Sequence, residues 1–406
     1  MCSNFEFPSG KCEILIDEVL KEKGITFDQS RKLLTTSTKP LWGLIKAYIV
    51  PNTNFEPFFP LKLESKTFYV LCKECVKVKS KKICNHSEIQ RGFTVSTTTT
   101  AMNFALQHNY VKILHYLEIW DFEYHGKIFQ KFTNVLLNLQ KNELRDDEME
   151  IKFIKNGLQG AFGKFSANTK KQKNVLCRNF DDLNSYFLKN SNNVTNIELI
   201  SESLCNVTLE DRQFEREKKK NNTSLIIGNF IVWGGRLLLE SKIMEINDKF
   251  DNVKLKMVNT DSVIFSMPAK NNLSEKITIS SENGEWKHQI KNCREITHFY
   301  SLSPVCYNLS YTTNQGLSCQ LNKICGFNFQ CCSSTKVDSK DFEELLTKAI
   351  KGQYLGIKVD QIRSYPKKDL KKKMVYTLRN TLDQKRIVLD SFQTVAFGYK
   401  SLPNDC

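Results

Sequence analysis

A lone carboxylate on a tight polar turn and a group of four soft ligands are the residues of this chain whose types and spacing can do chemistry. The carboxylate is Asp261, in Lys256-Met257-Val258-Asn259-Thr260-Asp261-Ser262-Val263-Ile264-Phe265. Apolar and β-branched residues flank Asn259-Thr260-Asp261-Ser262, the pattern of two strands joined by a turn that presents Asp261 and the Ser262 hydroxyl outward. The segment stands one residue from Asp-Thr-Asp, a pair of carboxylates able to bind a divalent metal. A polar turn of this length is also an ordinary structural hairpin, so its meaning depends on its company.

The soft ligands are Cys72 and Cys75, in Cys72-Lys73-Glu74-Cys75, followed by Cys84 and His86 in Cys84-Asn85-His86. The first pair can grip one ion from a tight turn. After eight intervening residues, the second pair can fill the other two corners of a tetrahedron, a Cys3His set suited to structural Zn2+. Without metal the same residues would form a cluster of reduced thiols. A third arrangement lies in Lys155-Asn156-Gly157-Leu158-Gln159-Gly160-Ala161-Phe162-Gly163-Lys164-Phe165. Helical spacing puts Lys155, Gln159, Phe162 and Gly163 on one face, a cation and an amide beside an aromatic and a glycine. Such a face can hold a triphosphate through the lysine and leave the aromatic edge to a base pair. A surface lysine on a glycine-weakened helix gives the same pattern.

The elements that position these residues read as mixed α/β. Residues 1 to 70 alternate strand-like runs with turns, Phe104 to Leu139 follows a helical pattern (Tyr110, Leu114 and Leu117 on one face), and Leu225 to Glu245 is again helical. Phe180 to Asn222 is polar and irregular, the natural internal boundary. A helix is expected around Phe342 to Ile350 and strands at Val375 to Leu378 and Arg386 to Leu389. With 406 residues and 40% hydrophobic content the chain can bury a sizeable core shared by two or three subdomains. Its apolar runs are too short for a membrane helix of about 18 residues, and its N-terminus lacks signal-peptide character. A reducing, intracellular compartment, host nucleus or cytoplasm, is therefore expected, with the 14 cysteines as thiols or metal ligands.

Fifty-nine Lys and Arg against 44 Asp and Glu give a net charge of +15, which draws a phosphate backbone and makes binding salt-dependent. The excess gathers at Lys170-Lys171-Gln172-Lys173, Lys218-Lys219-Lys220 and Lys367-Lys368-Asp369-Leu370-Lys371-Lys372-Lys373. Each run also fits a solvated loop or a nuclear-import signal.

Taken together, and in this order, the segments resemble the protein-primed branch of family B DNA polymerases, the kind found in viruses, linear plasmids and Maverick/Polinton elements. The family's fingers motif, Lys, three residues, Asn-Ser, one residue, Tyr or Trp, Gly, is filled by Lys155, Gln159-Gly160, Phe162 and Gly163. Its palm hairpin, Asp-Thr-Asp-Ser, is filled by Asn259 to Ser262. Trp42-Gly43-Leu44-Ile45-Lys46 with Pro51, Arg236-Leu237, Gly284-Glu285-Trp286, Ser303-Pro304, Tyr307, Gly326-Phe327 and Phe397-Gly398-Tyr399 match further family segments collinearly.

The resemblance implies an α+β right-hand fold: an antiparallel palm sheet, helical fingers and a thumb. Residues 1–126 would be the N-terminal palm with a Cys-rich insertion at about 70–90, 127–185 the fingers, 186–330 the palm with the hairpin, and 331–406 a basic thumb. Related elements carry a similar Cys cluster, which implies a scaffolding role. The implied reaction is template-directed transfer of a nucleoside monophosphate from a dNTP to a DNA 3′-hydroxyl. Asp261 would hold Mg2+ or Mn2+, Lys155, Gln159, Phe162 and Gly163 the nucleotide, and Tyr307 with Lys371, Lys372 and Lys373 the primer–template, with a terminal protein as a further partner.

Departures from the family pattern point to an impaired copy. Asn259 replaces one hairpin carboxylate, and an amide oxygen is a poorer Mg2+ ligand. Val305 stands where Pro-Lys-x-Tyr has its lysine, Cys325 replaces another lysine, and Gln159-Gly160 replaces Asn-Ser. The first palm motif, Asp-x-x-Ser-Leu-Tyr-Pro, is expected just before Phe5 and does not occur in this sequence, nor does the proofreading exonuclease domain. The expectation is a truncated polymerase portion of low activity, or a non-catalytic DNA-binding remnant.

Overall fold

The computed structural model describes residues 5–63, 66–139, 148–165, 172–177, 179–190, 194–201, 204–210, 224–268, 273–280, 285–290, 292–303, 306–323, 343–344, 348, 355–365, 368–378, 385–389 and 394–401. It is a mixed α/β structure, with antiparallel sheets and few helices. Contacts divide the chain into two compact units, one of Ser3–Ile128 with Trp233–Cys406 and one of Phe129–Val232.

The first unit is organised by alternation. In Gly43–Pro51, Gly43, Ile45, Ala47 and Ile49 are buried while Lys46 is exposed, the signature of a strand covered on one side. It lies in a four-stranded antiparallel sheet in the order Phe7–Ile16, Val111–Gly126, Gly43–Pro51, Phe93–Thr98. Helix Thr99–Gln107 follows the last of these directly, capped by the Thr98 hydroxyl, which accepts from Ala101 N–H at 3.1 Å. The core beneath holds Ile45, Ile49, Phe93, Met102, Ala105, Ile119, Phe58 and Phe59. Trp233 and Leu237 of helix Leu225–Lys249 close it. Arg236 on that helix donates to the Tyr69 hydroxyl at 2.6 Å and to the Phe58 carbonyl, and lies over the rings of Phe58, Tyr69 and Trp233. The cation thus spends its donors and its charge inside an aromatic cluster.

The helical pattern expected over Phe104 to Leu139 is not what forms. The helix ends at Gln107, because Asn109 takes a left-handed conformation (φ 57°) and Tyr110 N–H returns to the Ala105 carbonyl at 2.8 Å. Val111–Gly126 is then a sixteen-residue strand, and a helix resumes at Gln130–Asn138. Leu114 and Leu117, which share a helical face by spacing, both fall where the strand's register against Gly43–Pro51 shifts by a residue. β-Branched and aromatic residues at Val111, Ile113, Tyr116, Ile119 and Trp120 favour the extended form.

Smaller antiparallel systems accompany this sheet in the same unit. Lys254–Asn259 pairs with Ser262–Ser266 as a hairpin, and Cys293–Ser303, Cys306–Thr313 and Ser318–Lys323 form a three-stranded sheet. Met257 of the hairpin packs with Tyr307 and Leu309 of that sheet. Leu355–Tyr365 and Lys368–Leu378 make a two-stranded ribbon, the second strand covering the one expected at 375–378. Ile387–Val388 pairs with Thr394–Val395. Of the helix expected around 342–350, Glu343, Glu344 and Lys348 are described, and each is helical.

The second unit holds helices Glu148–Phe165 and Phe180–Asn190 and a three-stranded sheet in the order Val194–Ser201, Leu204–Glu210, Gln172–Cys177. Phe180 to Asn222, read from sequence as irregular, therefore contributes a helix and a hairpin. Its polar composition belongs to an exposed helix with Asp181 and Asp182 in the first turn and to strands buried on one side around Cys177, Cys205 and Val207. The boundary expected at 186 falls inside Phe180–Asn190.

Candidate metal centre

Cys72, Cys75, Cys84 and His86 converge. Their ligand atoms all lie within 4.8 Å of one another. His86 Nδ1 is 3.5 Å from Cys72 Sγ, 3.4 Å from Cys75 Sγ and 3.6 Å from Cys84 Sγ. A tetrahedron with Zn–S of about 2.3 Å and Zn–N of about 2.0 Å has S···N edges of about 3.6 Å. One nitrogen at that distance from three sulfurs is the arrangement a tetrahedral ion needs, and the buried Cys3His group can hold a metal such as zinc.

Local folding sets each ligand. Cys72 caps the short helix Lys73–Lys77, its Sγ accepting from Cys75 N–H at 3.4 Å, so the first two sulfurs are fixed by one turn of chain. Beyond His86, Ser87 and Gln90 form a reciprocal capping box at the start of Glu88–Arg91. Arg91, buried, donates to the carbonyls of Pro51 at 2.6 Å and Leu71 at 3.4 Å. Its guanidinium ties both ends of the ligand-bearing segment to the central sheet.

A distant part of the chain closes the centre. Leu71 and Cys72 N–H groups donate to the Phe397 carbonyl at 2.8 and 3.2 Å, and Cys84 N–H donates to the Tyr399 carbonyl at 2.9 Å. The Tyr399 hydroxyl donates to the Lys81 carbonyl at 2.9 Å. Between them Gly398 has φ +94°, and a Cβ there would stand 2.3 Å from Cys72 Cβ. Only glycine satisfies both the backbone angle and the approach. Sequence reading singled out Phe397-Gly398-Tyr399 as a motif, but nothing in a sequence shows that it covers the cysteines.

Burial pushes the Cys72 and Cys75 thiols up, and the neighbouring thiols add to the rise at Cys75. In the absence of a cation these sulfurs keep their protons at neutral pH, and a metal that binds displaces them.

The other expected site residues are placed as follows. Asn259 pairs with Ser262 across a two-residue turn, Thr260 takes φ 57°, and Asp261 is exposed. The Ser262 hydroxyl donates to the Asn259 carbonyl at 3.0 Å, and the Thr260 hydroxyl donates to the Asn259 side-chain oxygen at 3.2 Å. The hairpin thus offers one carboxylate, and the amide that replaces the second is already an acceptor within the turn. Among the described residues Asp261 belongs to no group of three or more metal ligands. These residues do not fit a two-carboxylate Mg2+ site.

Lys155, Gln159, Phe162 and Gly163 lie on helix Glu148–Phe165. The side chains of the first three fall outside the described ones, and a Cβ at Gly157, Gly160 or Gly163 would meet nothing within 4 Å. Tyr307 is buried beneath the hairpin, and burial raises its hydroxyl pKa. Lys371, Lys372 and Lys373 stand opposite Ile362, Gln361 and Asp360 on the ribbon, their side chains outside the described ones. Pro304, Val305, Cys325 and Gly326 also lie outside the described residues.

Set beside protein-family models, curated proteins and solved structures, the chain matches none of them. Among the described residues no helix is long and apolar enough to cross a membrane.

Proposed function

We propose that this chain is the polymerase portion of a protein-primed family B DNA polymerase that binds primer–template DNA and is impaired in nucleotidyl transfer. The observation that carries the reading is the Asn259–Ser262 turn. It is a two-residue reversal with Asp261 exposed at its tip, on a hairpin seated against a sheet that contains Tyr307. On this reading the four-stranded sheet and the hairpin belong to the palm, the helices between 127 and 185 to the fingers, and 331–406 to the thumb. The helix bearing Lys155 would meet the dNTP on a face left open at its glycines.

The basic ribbon supports the DNA partner. Between residues 355 and 378 there are seven Lys or Arg and two Asp, a charge density suited to tracking a phosphate backbone. A zinc ion at the Cys3His group would hold the insertion to the palm and take no part in chemistry. Polymerases of this class transfer a nucleoside monophosphate from a dNTP to a primer 3′-hydroxyl and release pyrophosphate. Here one carboxylate and an engaged Asn259 amide favour DNA binding over extension. A terminal protein would supply the primer, and the setting would be intracellular.

Primer extension with Mg2+ and with Mn2+, beside Asp261→Ala and alongside DNA-binding titrations, tests the proposal. The expected result is salt-sensitive binding of primer–template with little or no extension. Robust extension abolished by Asp261→Ala would overturn the impairment, and failure to bind DNA at low salt would overturn the polymerase reading itself.

A further inference from the structure

Between the two halves of the Cys3His group runs Lys77-Val78-Lys79-Ser80-Lys81-Lys82-Ile83, a loop that metal binding by itself does not explain. Lys77, Lys79, Lys81 and Lys82 are exposed, as are Val78 at 72% and Ile83 at 55%. Lys77 is paired with Glu74 at 2.8 Å. Among the described residues no carboxylate pairs with Lys79, Lys81 or Lys82.

This loop is not an ordinary solvated charge run, because its backbone is held. The ligands Cys75 and Cys84 flank it. Ser80 N–H donates to the Cys75 carbonyl at 2.9 Å, the Lys81 carbonyl accepts from the Tyr399 hydroxyl, and Cys84 N–H donates to the Tyr399 carbonyl. Lysines on a free loop relieve their mutual repulsion by backbone movement, whereas here the backbone that carries them is hydrogen-bonded to Cys75 and Tyr399. The entropy that ordering such a loop would cost a ligand is already met by the fold. What remains is three exposed lysines with no carboxylate partner among the described residues, and two exposed aliphatic side chains in the same loop.

We propose that this loop is a contact site for the sugar-phosphate backbone of nucleic acid, held in its binding shape by the metal centre. Lys79, Lys81 and Lys82 contact phosphates, and Val78 and Ile83 lie against sugar or base faces. The inference rests on the DNA-binding reading above and gives it specific residues. Nucleic acid is favoured over an acidic protein because phosphates are regularly spaced, every backbone unit is charged, and the chain as a whole carries +15.

The test is fluorescence anisotropy of the full zinc-loaded chain with a labelled primer–template, from about 50 to 300 mM KCl. The triple variant Lys79→Gln/Lys81→Gln/Lys82→Gln is compared with wild type after both are shown to carry equal zinc. Each phosphate contact contributes about 0.9 to the slope of log K against log salt. The triple variant is expected to have a slope shallower by roughly 2 to 3, with affinity near 100 mM salt weakened about 10- to 100-fold. Removing the metal with a chelator is expected to cost a similar increment in wild type and little in the variant.

An unchanged slope in the zinc-loaded variant overturns the inference while leaving the DNA-binding reading intact. A wild type that binds no DNA overturns both. A variant that loses only its affinity for anionic phospholipid vesicles, with DNA affinity unchanged, also overturns it. Should the triple variant fail to load zinc, single variants Lys79→Gln and Lys82→Gln decide. Each is expected to lower the slope by about one, and no change in either overturns the assignment.

Discussion

Cys72, Cys75, Cys84 and His86 come from fifteen consecutive residues and meet with one nitrogen 3.4 to 3.6 Å from three sulfurs. Asp261, by contrast, stands exposed on a turn whose neighbour Asn259 offers only an amide already bonded to Thr260. The contrast is one of origin. Ligands from a short segment close on an ion at small cost in chain entropy, whereas Asp261, with an amide where the turn's second carboxylate would stand, must recruit a further acid from another element. A local site survives as long as its own segment is intact. A distributed one is lost with any single contributor.

The largest effect should come from breaking the local site. Cys75→Ser removes a sulfur from a group whose metal would supply about 10–16 kcal/mol of apparent binding energy. Zinc is expected to fall from one equivalent to under roughly a tenth, with a lowered thermal transition, as read by metal analysis and calorimetry. Acidification should loosen the same site without mutation. Because burial raises the Cys72 and Cys75 thiols, zinc entry releases their protons, so affinity rises with pH and falls as pH drops. The three cysteine ligands bind as thiolates, so three protons per ion give roughly a 1,000-fold loss of apparent affinity per pH unit near neutrality, measurable by competition with a chromophoric chelator.

Gly398→Ala leaves every ligand in place and should act through the cover. It forces a side chain against Cys72 at a positive φ, which is expected to cost about 2–4 kcal/mol and to speed zinc loss, read by denaturation and by chelator-induced release. The smallest effect belongs to the hairpin tip. Asp261→Ala should change stability by less than about 0.5 kcal/mol and leave zinc content unaltered. A larger destabilisation in the same denaturation assay would mean that Asp261 is structural, and the contrast between the two regions would fail.

What the sequence disclosed follows the same division. The Cys–His spacing and the polar turn at 259–262 are short-range signals, and both take the expected local form. The strand Val111–Gly126 was hidden because Tyr110, Leu114 and Leu117 mimic a helical face, and the left-handed turn at Asn109 with the pairing to Phe7–Ile16 and Gly43–Pro51 selects the extended state. The helix and hairpin after Phe180 were hidden by polar composition. The cover over the cysteines could not be read at all, since it depends on contact between residues 318 positions apart. Arg236 could be picked out as a motif residue, but its aromatic cage could not.

That separation has a consequence in time. A ribosome adding about 5–20 residues per second needs roughly 16 to 64 s to travel from Lys81 to Tyr399, 318 residues later. Throughout that interval the cysteine knuckle exists without Phe397, Gly398 and Tyr399 above it. Until then the four ligand side chains lack that cover, and a metal bound early would have to be retained until the last contact arrives. The finished centre therefore records the order of synthesis: its ligands are made first, and its protection is made 318 residues later.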